Sequence, residues 1–86
     1  MRVVCVWKEA SEAAREVREW VREFETRTGV EVELLDPETR EGENFCRAHD
    51  VTMYPTLLVM GSDGRVAQEW RGTPMPMMDA VMAYLV

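Results

Sequence analysis

A chain of 86 residues and 10.0 kDa allows one domain, and a small one. Chains of this size bury only about 60–65% of the surface they expose when unfolded, so the core must be efficient. The composition, 47% apolar and 30% charged with five Gly and four Pro, excludes disordered, collagenous and low-complexity chains. A net charge of −6 and a pI near 4.7 leave no basic stripe to displace counterions from phosphates, which argues against nucleic-acid binding.

Residues 3–7, Val-Val-Cys-Val-Trp, form a continuous apolar run with β-branched and aromatic bias, the pattern of a strand buried on both faces. The run is too short for a signal-peptide core, and no stretch approaches the roughly 20 apolar residues needed to span a bilayer. A cytoplasmic protein without a membrane partner is expected. Ser11 offers an N-cap, and Glu12 and Glu16 complement the helix dipole. Ala13, Val17, Trp20, Val21, Phe24 and Thr28 then recur at three- and four-residue spacing. They predict a helix over 11–28, ended by Gly29. Val30-Glu-Val-Glu-Leu-Leu35 alternates apolar and acidic, as a strand near a sheet edge does, and Asp36-Pro37 stops it.

A short helix over 41–49 carries Phe45, Cys46 and His49. Residues 55–60 read as a further strand, Ser62-Asp63-Gly64 as a tight turn, and residues 65–70 as the hairpin partner. Gly72-Thr73-Pro74 breaks that strand and starts a last helix, with Thr73 as cap and Pro74 in the first helical position. The order is β-α-β-α-β-β-α. A right-handed crossover makes the first two strands parallel, and the hairpin adds an antiparallel pair. The expectation is a single α/β domain over 1–86, a four-stranded mixed sheet flanked by three helices.

Cys5 and Cys46 are far apart in sequence, with no CxxC and no second pair to complete a metal site. A reducing compartment argues against a disulfide, and both thiols read as small buried hydrophobes. Cys46, with Arg47 beside it and His49 three positions on, is the residue a redox-sensor reading would use. No metal site is expected: His49 is the single histidine, and the Met75-x-Met77-Met78 cluster lacks the Cys or His that copper sites recruit. The acidic run from Glu31 to Glu43 reads as a solvated face.

In the final segment, Thr73 to Val86, Asp79 is the one charged side chain. Met77, Val81, Met82 and Leu85 can face the sheet, which turns Met75, Met78 and Tyr84 elsewhere. An apolar patch follows, and it predicts a protein partner or a second copy docked on the last helix.

The stretch Val51-Thr-Met-Tyr-Pro-Thr-Leu-Leu-Val59, with the Asp63-Gly64-Arg65-Val66 turn and the later Gly72, resembles the thioredoxin superfamily in its minimal, glutaredoxin-sized form. The resemblance covers nearly the whole chain. It implies a thioredoxin-like fold in which a cis-proline, Pro55, opens the third strand. It also implies a groove that takes an extended peptide or the glutathione backbone by strand-like pairing, with free N–H and C=O groups at Met53 and Tyr54. Trp7, Lys8, Ser11, Met53, Tyr54, Pro55, Gly72 and Thr73 would line it. Lys8 stands where the glutaredoxin lysine meets a glutathione carboxylate.

The first loop departs from the family. Where the family carries CxxC, this chain has Ser11-Glu12-Ala13-Ala14. Thiol–disulfide exchange needs an activated thiolate and a second, resolving thiol, and a serine hydroxyl is too weakly acidic to replace the first. No catalytic residue is therefore assigned. The leading expectation is a redox-inactive binding module with a protein or peptide ligand and no cofactor, glutathione being the one small ligand the groove implies. The alternative is an enzyme: an atypical thiol oxidoreductase acting through Cys46, or a glutathione-dependent activity in which Ser11 positions the substrate thiol.

Overall fold

The computed structural model describes residues 1–85, and they follow the expected order. The elements are β1 (Arg2–Val6), α1 (Ala14–Thr28), β2 (Val32–Leu35), α2 (Arg40–His49), β3 (Thr56–Met60), β4 (Val66–Arg71) and α3 (Met78–Met82). The four strands form one sheet in the order β2-β1-β3-β4. β1 runs parallel to β2, with Val3 opposite Val32, and antiparallel to β3, with Val6 opposite Thr56. β3 and β4 form the antiparallel hairpin.

The two inner strands are the two unbroken apolar runs of the sequence, because only a strand covered on both faces needs no polar side. Alternate residues serve opposite cores. Val3, Cys5, Val32, Leu57 and Val59 pack with Val17, Val21 and Phe24 of α1 and Val81 of α3. Val4, Val6, Leu35, Leu58 and Met60 pack with Cys46 of α2 and with Val51. On the first face Trp20 stacks on Phe24, with ring centroids 4.9 Å apart.

Both sheet edges are guarded. On β2 the Val32 N–H donates to Glu25 Oε2 at 2.9 Å, and Arg2 forms a two-pronged ion pair with Glu33. On β4 the Glu69 N–H donates to the Gln68 side chain at 2.9 Å, beside a bulge after Val59/Met60. Capped and bulged edges resist the addition of a foreign strand.

Two helix starts differ from expectation. Ser11 does not cap α1: its hydroxyl donates backwards to the Lys8 carbonyl at 2.6 Å, and the helix begins at Ala14 behind Ala13, with no side-chain cap. Thr73 and Pro74 do not open α3, which begins at Met78. The residue before a proline is pushed out of the helical region, and Thr73 and Met75 each precede one, so the chain cannot coil until both prolines are passed. The Gly29 signal holds at its place, ending α1 in the left-handed region at φ 73°. α2 begins at Arg40, capped by Thr39, which accepts from the Gly42 N–H and which sequence reasoning did not single out. Among the described residues no helix is long and apolar enough to cross a membrane.

Candidate functional site

Register brings the candidate residues together. Val6, Thr56 and Arg71 lie side by side across β1, β3 and β4. The segments just beyond them, Trp7–Ser11, Met53–Pro55 and Gly72–Thr73, therefore share one end of the sheet. Lys8 is exposed, and its Nζ stands 5.2 Å from the centroid of the Tyr54 ring, a cation–π contact across the gap between two of these segments.

The proline side of this end is tightly made. The Tyr54–Pro55 peptide is cis. Thr56 is fully buried and its hydroxyl donates to the Met53 carbonyl at 2.6 Å, while the Gly72 N–H donates to the Pro55 carbonyl at 2.7 Å. Gly72 has φ 78°, a conformation that suits glycine, and a Cβ there would lie 3.0 Å from Met53 Sδ. The expectation of free backbone at both Met53 and Tyr54 is corrected in part, since Thr56 occupies the Met53 carbonyl. Among the described residues the Tyr54 N–H and C=O make no hydrogen bond, and strand pairing begins only at Thr56.

Not every predicted lining residue turns inward. Lys8, Met53, Tyr54, Pro55 and Gly72 are joined by the contacts above, while Ser11 is exposed and tied only to the Lys8 carbonyl. Trp7 packs against the core beneath α1, with the Arg18 guanidinium 5.7 Å from its ring, so it forms a wall more than a floor. Thr73 is exposed beyond Gly72. Thr56 is a site residue that sequence reasoning missed; a polar residue heading an otherwise apolar strand was the available signal.

Both thiols are buried and free. Cys5 is fully buried in β1, and loss of solvation pushes its thiol up to about 12. Cys46 is buried on α2, and burial raises its pKa too, against a smaller opposing pull from the Tyr54 hydroxyl beside it. Tyr54 is shifted up in turn, first by desolvation and then by the Cys46 thiol. Among the described residues no group of three or more His, Cys, Asp or Glu stands together as a metal site.

The methionine-rich segment is arranged differently from expectation. Met75, Met78 and Tyr84 do not point away from the sheet: all three are half-buried against the α1-side core. Two side chains of α1 hold the lead-in to α3 in place. Glu16 accepts from the Met75 N–H at 2.8 Å, and the Trp20 indole N–H donates to the Pro76 carbonyl at 2.8 Å. Tyr84 is fixed by a hydrogen bond from Gln68 and an edge-on contact with Trp70. Met77 is the side chain left outside, at 78% exposure, on the rim of a cleft of about 330 Å³ between Trp20, Arg27 and Met78. The i,i+4 spacing of Glu16 and Trp20 is the sequence signal for this pair of straps, since it sets both on one side of α1.

This arrangement is the thioredoxin fold, and solved structures of that fold superimpose on it. Thioredoxin 1 of Thermosipho africanus matches with a TM-score of 0.75 over 99% of this chain and 94% of its own, at 10% identity. Thioredoxin O2 of Arabidopsis thaliana in its oxidised state matches at 0.74, with 15% identity over 98% of this chain and 70% of its own. A chain in the complex of ferredoxin:thioredoxin reductase with thioredoxin f2 matches at 0.69, with 13% identity over 96% and 72%. No protein-family model and no curated protein matches the sequence.

Proposed function

We propose that the chain is a binding module that takes an extended peptide along the Tyr54–Pro55 edge, and that it performs no thiol chemistry. The observation that carries this reading is the pair of backbone groups on Tyr54 that make no hydrogen bond among the described residues, at a sheet end tied by the Thr56 and Gly72 hydrogen bonds. An extended ligand pairs with main-chain groups of this kind, and side chains around them select it. Lys8, Ser11 and Met53 are the side chains within reach. Burial of both thiols weighs against the oxidoreductase reading, and Ser11 leaves the loop without a nucleophile. The solved neighbours are thioredoxins, one of them described in complex with a reductase, so protein docking is at home on this fold.

The test is selection of binders from a displayed library of unstructured peptides, followed by amide NMR mapping of the tightest. Shifts concentrated at Met53, Tyr54, Gly72 and Thr73 are expected. A footprint on the Trp20–Met78 cleft instead would overturn the reading. Rapid mixed-disulfide formation at Cys46 with oxidised glutathione would replace it by the oxidoreductase reading.

A further inference from the structure

The chain holds seven methionines and two cysteines, and these residues are very unequally exposed. Cys5 and Met60 are sealed in the core at 0% and 2% exposure, and Cys46 is buried. Met75, Met78 and Met82 are packed against the core beneath α1 and α3. Besides Met1, only Met77 and Met53 are exposed among the described residues, Met53 to 50%. Met53 is also the one in the groove. It precedes Tyr54, its carbonyl is pinned by Thr56, and its Sδ lies against Gly72 so closely that one added carbon on Gly72 would stand 3.0 Å away.

We propose that Met53 is a modification site, oxidised by peroxide-class oxidants to the sulfoxide, and that this oxidation reshapes the groove. A lone pair on Sδ attacks one peroxide oxygen and the O–O bond breaks, releasing hydroxide. The hydroxide takes the proton from the oxygen now bound to sulfur and leaves as water. The thioether loses two electrons and the peroxide gains them. A thioether becomes a polar sulfoxide, the change that disrupts methionine contacts, and methionine sulfoxide reductase reverses it. An oxygen added on the side of Gly72 would crowd that residue, since even a Cβ there would stand 3.0 Å from Sδ. Relieving that crowding moves the Met53 side chain off Gly72 or shifts Gly72, whose N–H bonds to the Pro55 carbonyl beside Tyr54. The consequence for ligands rests on the peptide-binding reading; the oxidation itself and its effect on Gly72 do not.

The experiment exposes the protein to limiting hydrogen peroxide, locates sulfoxides by peptide mass mapping over time, and follows the amide NMR spectrum in parallel. Met53 and Met77 should gain oxygen several-fold faster than Met60 and Met78. The Gly72 amide should move in step with Met53 oxidation, stay still in Met53→Leu, and still move in Met77→Leu. Met53 oxidation as slow as that of Met60 overturns the proposal, as does fast oxidation that leaves the Gly72 amide unmoved. A library-selected peptide that maps to Tyr54 should bind the oxidised protein several-fold more weakly, and Met53→Leu should abolish that loss. Absence of any such peptide would refute the binding reading while leaving the mass and NMR result to judge the modification site alone.

Discussion

Residues 7–13 and residues 53–56 meet at one end of the sheet, yet they are held by different means. The first segment is mostly exposed, tied by one side-chain hydrogen bond from Ser11 to Lys8, and leads into a helix with no side-chain cap. In the second, Pro55 and Thr56 are buried, and hydrogen bonds from Thr56 and Gly72 fix its carbonyls. The contrast separates scaffold from chemistry. The proline side is fixed by β3 and Gly72, so exchanging residues of the opposite loop should cost little stability. In this chain a loop and helix start holding Ser11 and Ala14 stand beside a firmly tied proline side.

The largest effect that could break this contrast concerns Cys5, just upstream of the loop. Its folded thiol is held up to about 12 by desolvation, whereas an unfolded cysteine titrates near 8.5. A raised folded pKa means that the stabilisation is complete below about pH 8.5 and is lost as pH climbs toward the folded value. Unfolding free energy from urea titrations should fall by about 1.4 kcal/mol per pH unit through that window, with Cys46 and Tyr54 acting in the same direction. Cys5→Ala should flatten Cys5's share of the slope. A flat wild-type profile would mean that Cys5 ionises in the folded protein, and thiol chemistry next to the loop would be open again.

Next in size is Thr56→Val, which keeps the shape and removes the hydroxyl. The Met53 carbonyl loses its donor, and a polar group left unsatisfied in a half-buried place costs about 1–3 kcal/mol. Chemical denaturation measures it. A loss near zero would show that water serves the carbonyl as well, and that the proline side is no firmer than the loop.

These two residues also show what was legible beforehand. The strands, the helix periodicity and the Gly29 stop follow from local patterns, and the whole β-α-β-α-β-β-α order is visible in the sequence. The start of α1 is not, because a serine hydroxyl can accept from the helix or donate backwards, and composition does not say which. The start of α3 is misread when Pro74 is assigned the first helical position without weighing what Pro76 does to Met75. Of the site, Lys8, Ser11, Met53, Tyr54, Pro55 and Gly72 were placed by resemblance. Thr56 had a local signal that went unused, and the spacing of Glu16 and Trp20 puts both on one side of α1, but their partners, 59 residues away for Glu16 and Met75, are not encoded by any local pattern.

Gly72→Ala probes the proline side from its other wall. At φ 78° an alanine carries a left-handed penalty of about 1–2 kcal/mol, and its Cβ must displace Met53 Sδ from 3.0 Å. Thermal or urea unfolding should report that loss. The double variant Gly72→Ala/Met53→Ala should recover the part due to crowding and none due to φ, which a double-mutant cycle resolves.

The smallest effect is expected on the loop itself. Ser11 is exposed, and its one hydrogen bond to the Lys8 carbonyl can be replaced by water. Ser11→Ala should change stability by no more than about 0.5 kcal/mol, the range of surface substitutions without a special role. The helix start should stay at Ala14, because the Ala14 N–H bonds to the Ser11 backbone carbonyl, which the substitution keeps. A cost above about 1 kcal/mol would place the hydroxyl among structural hydrogen bonds of ordinary worth. The loop would then be held as firmly as the proline side, and the serine there would have to be explained by the fold and no longer by freedom from it.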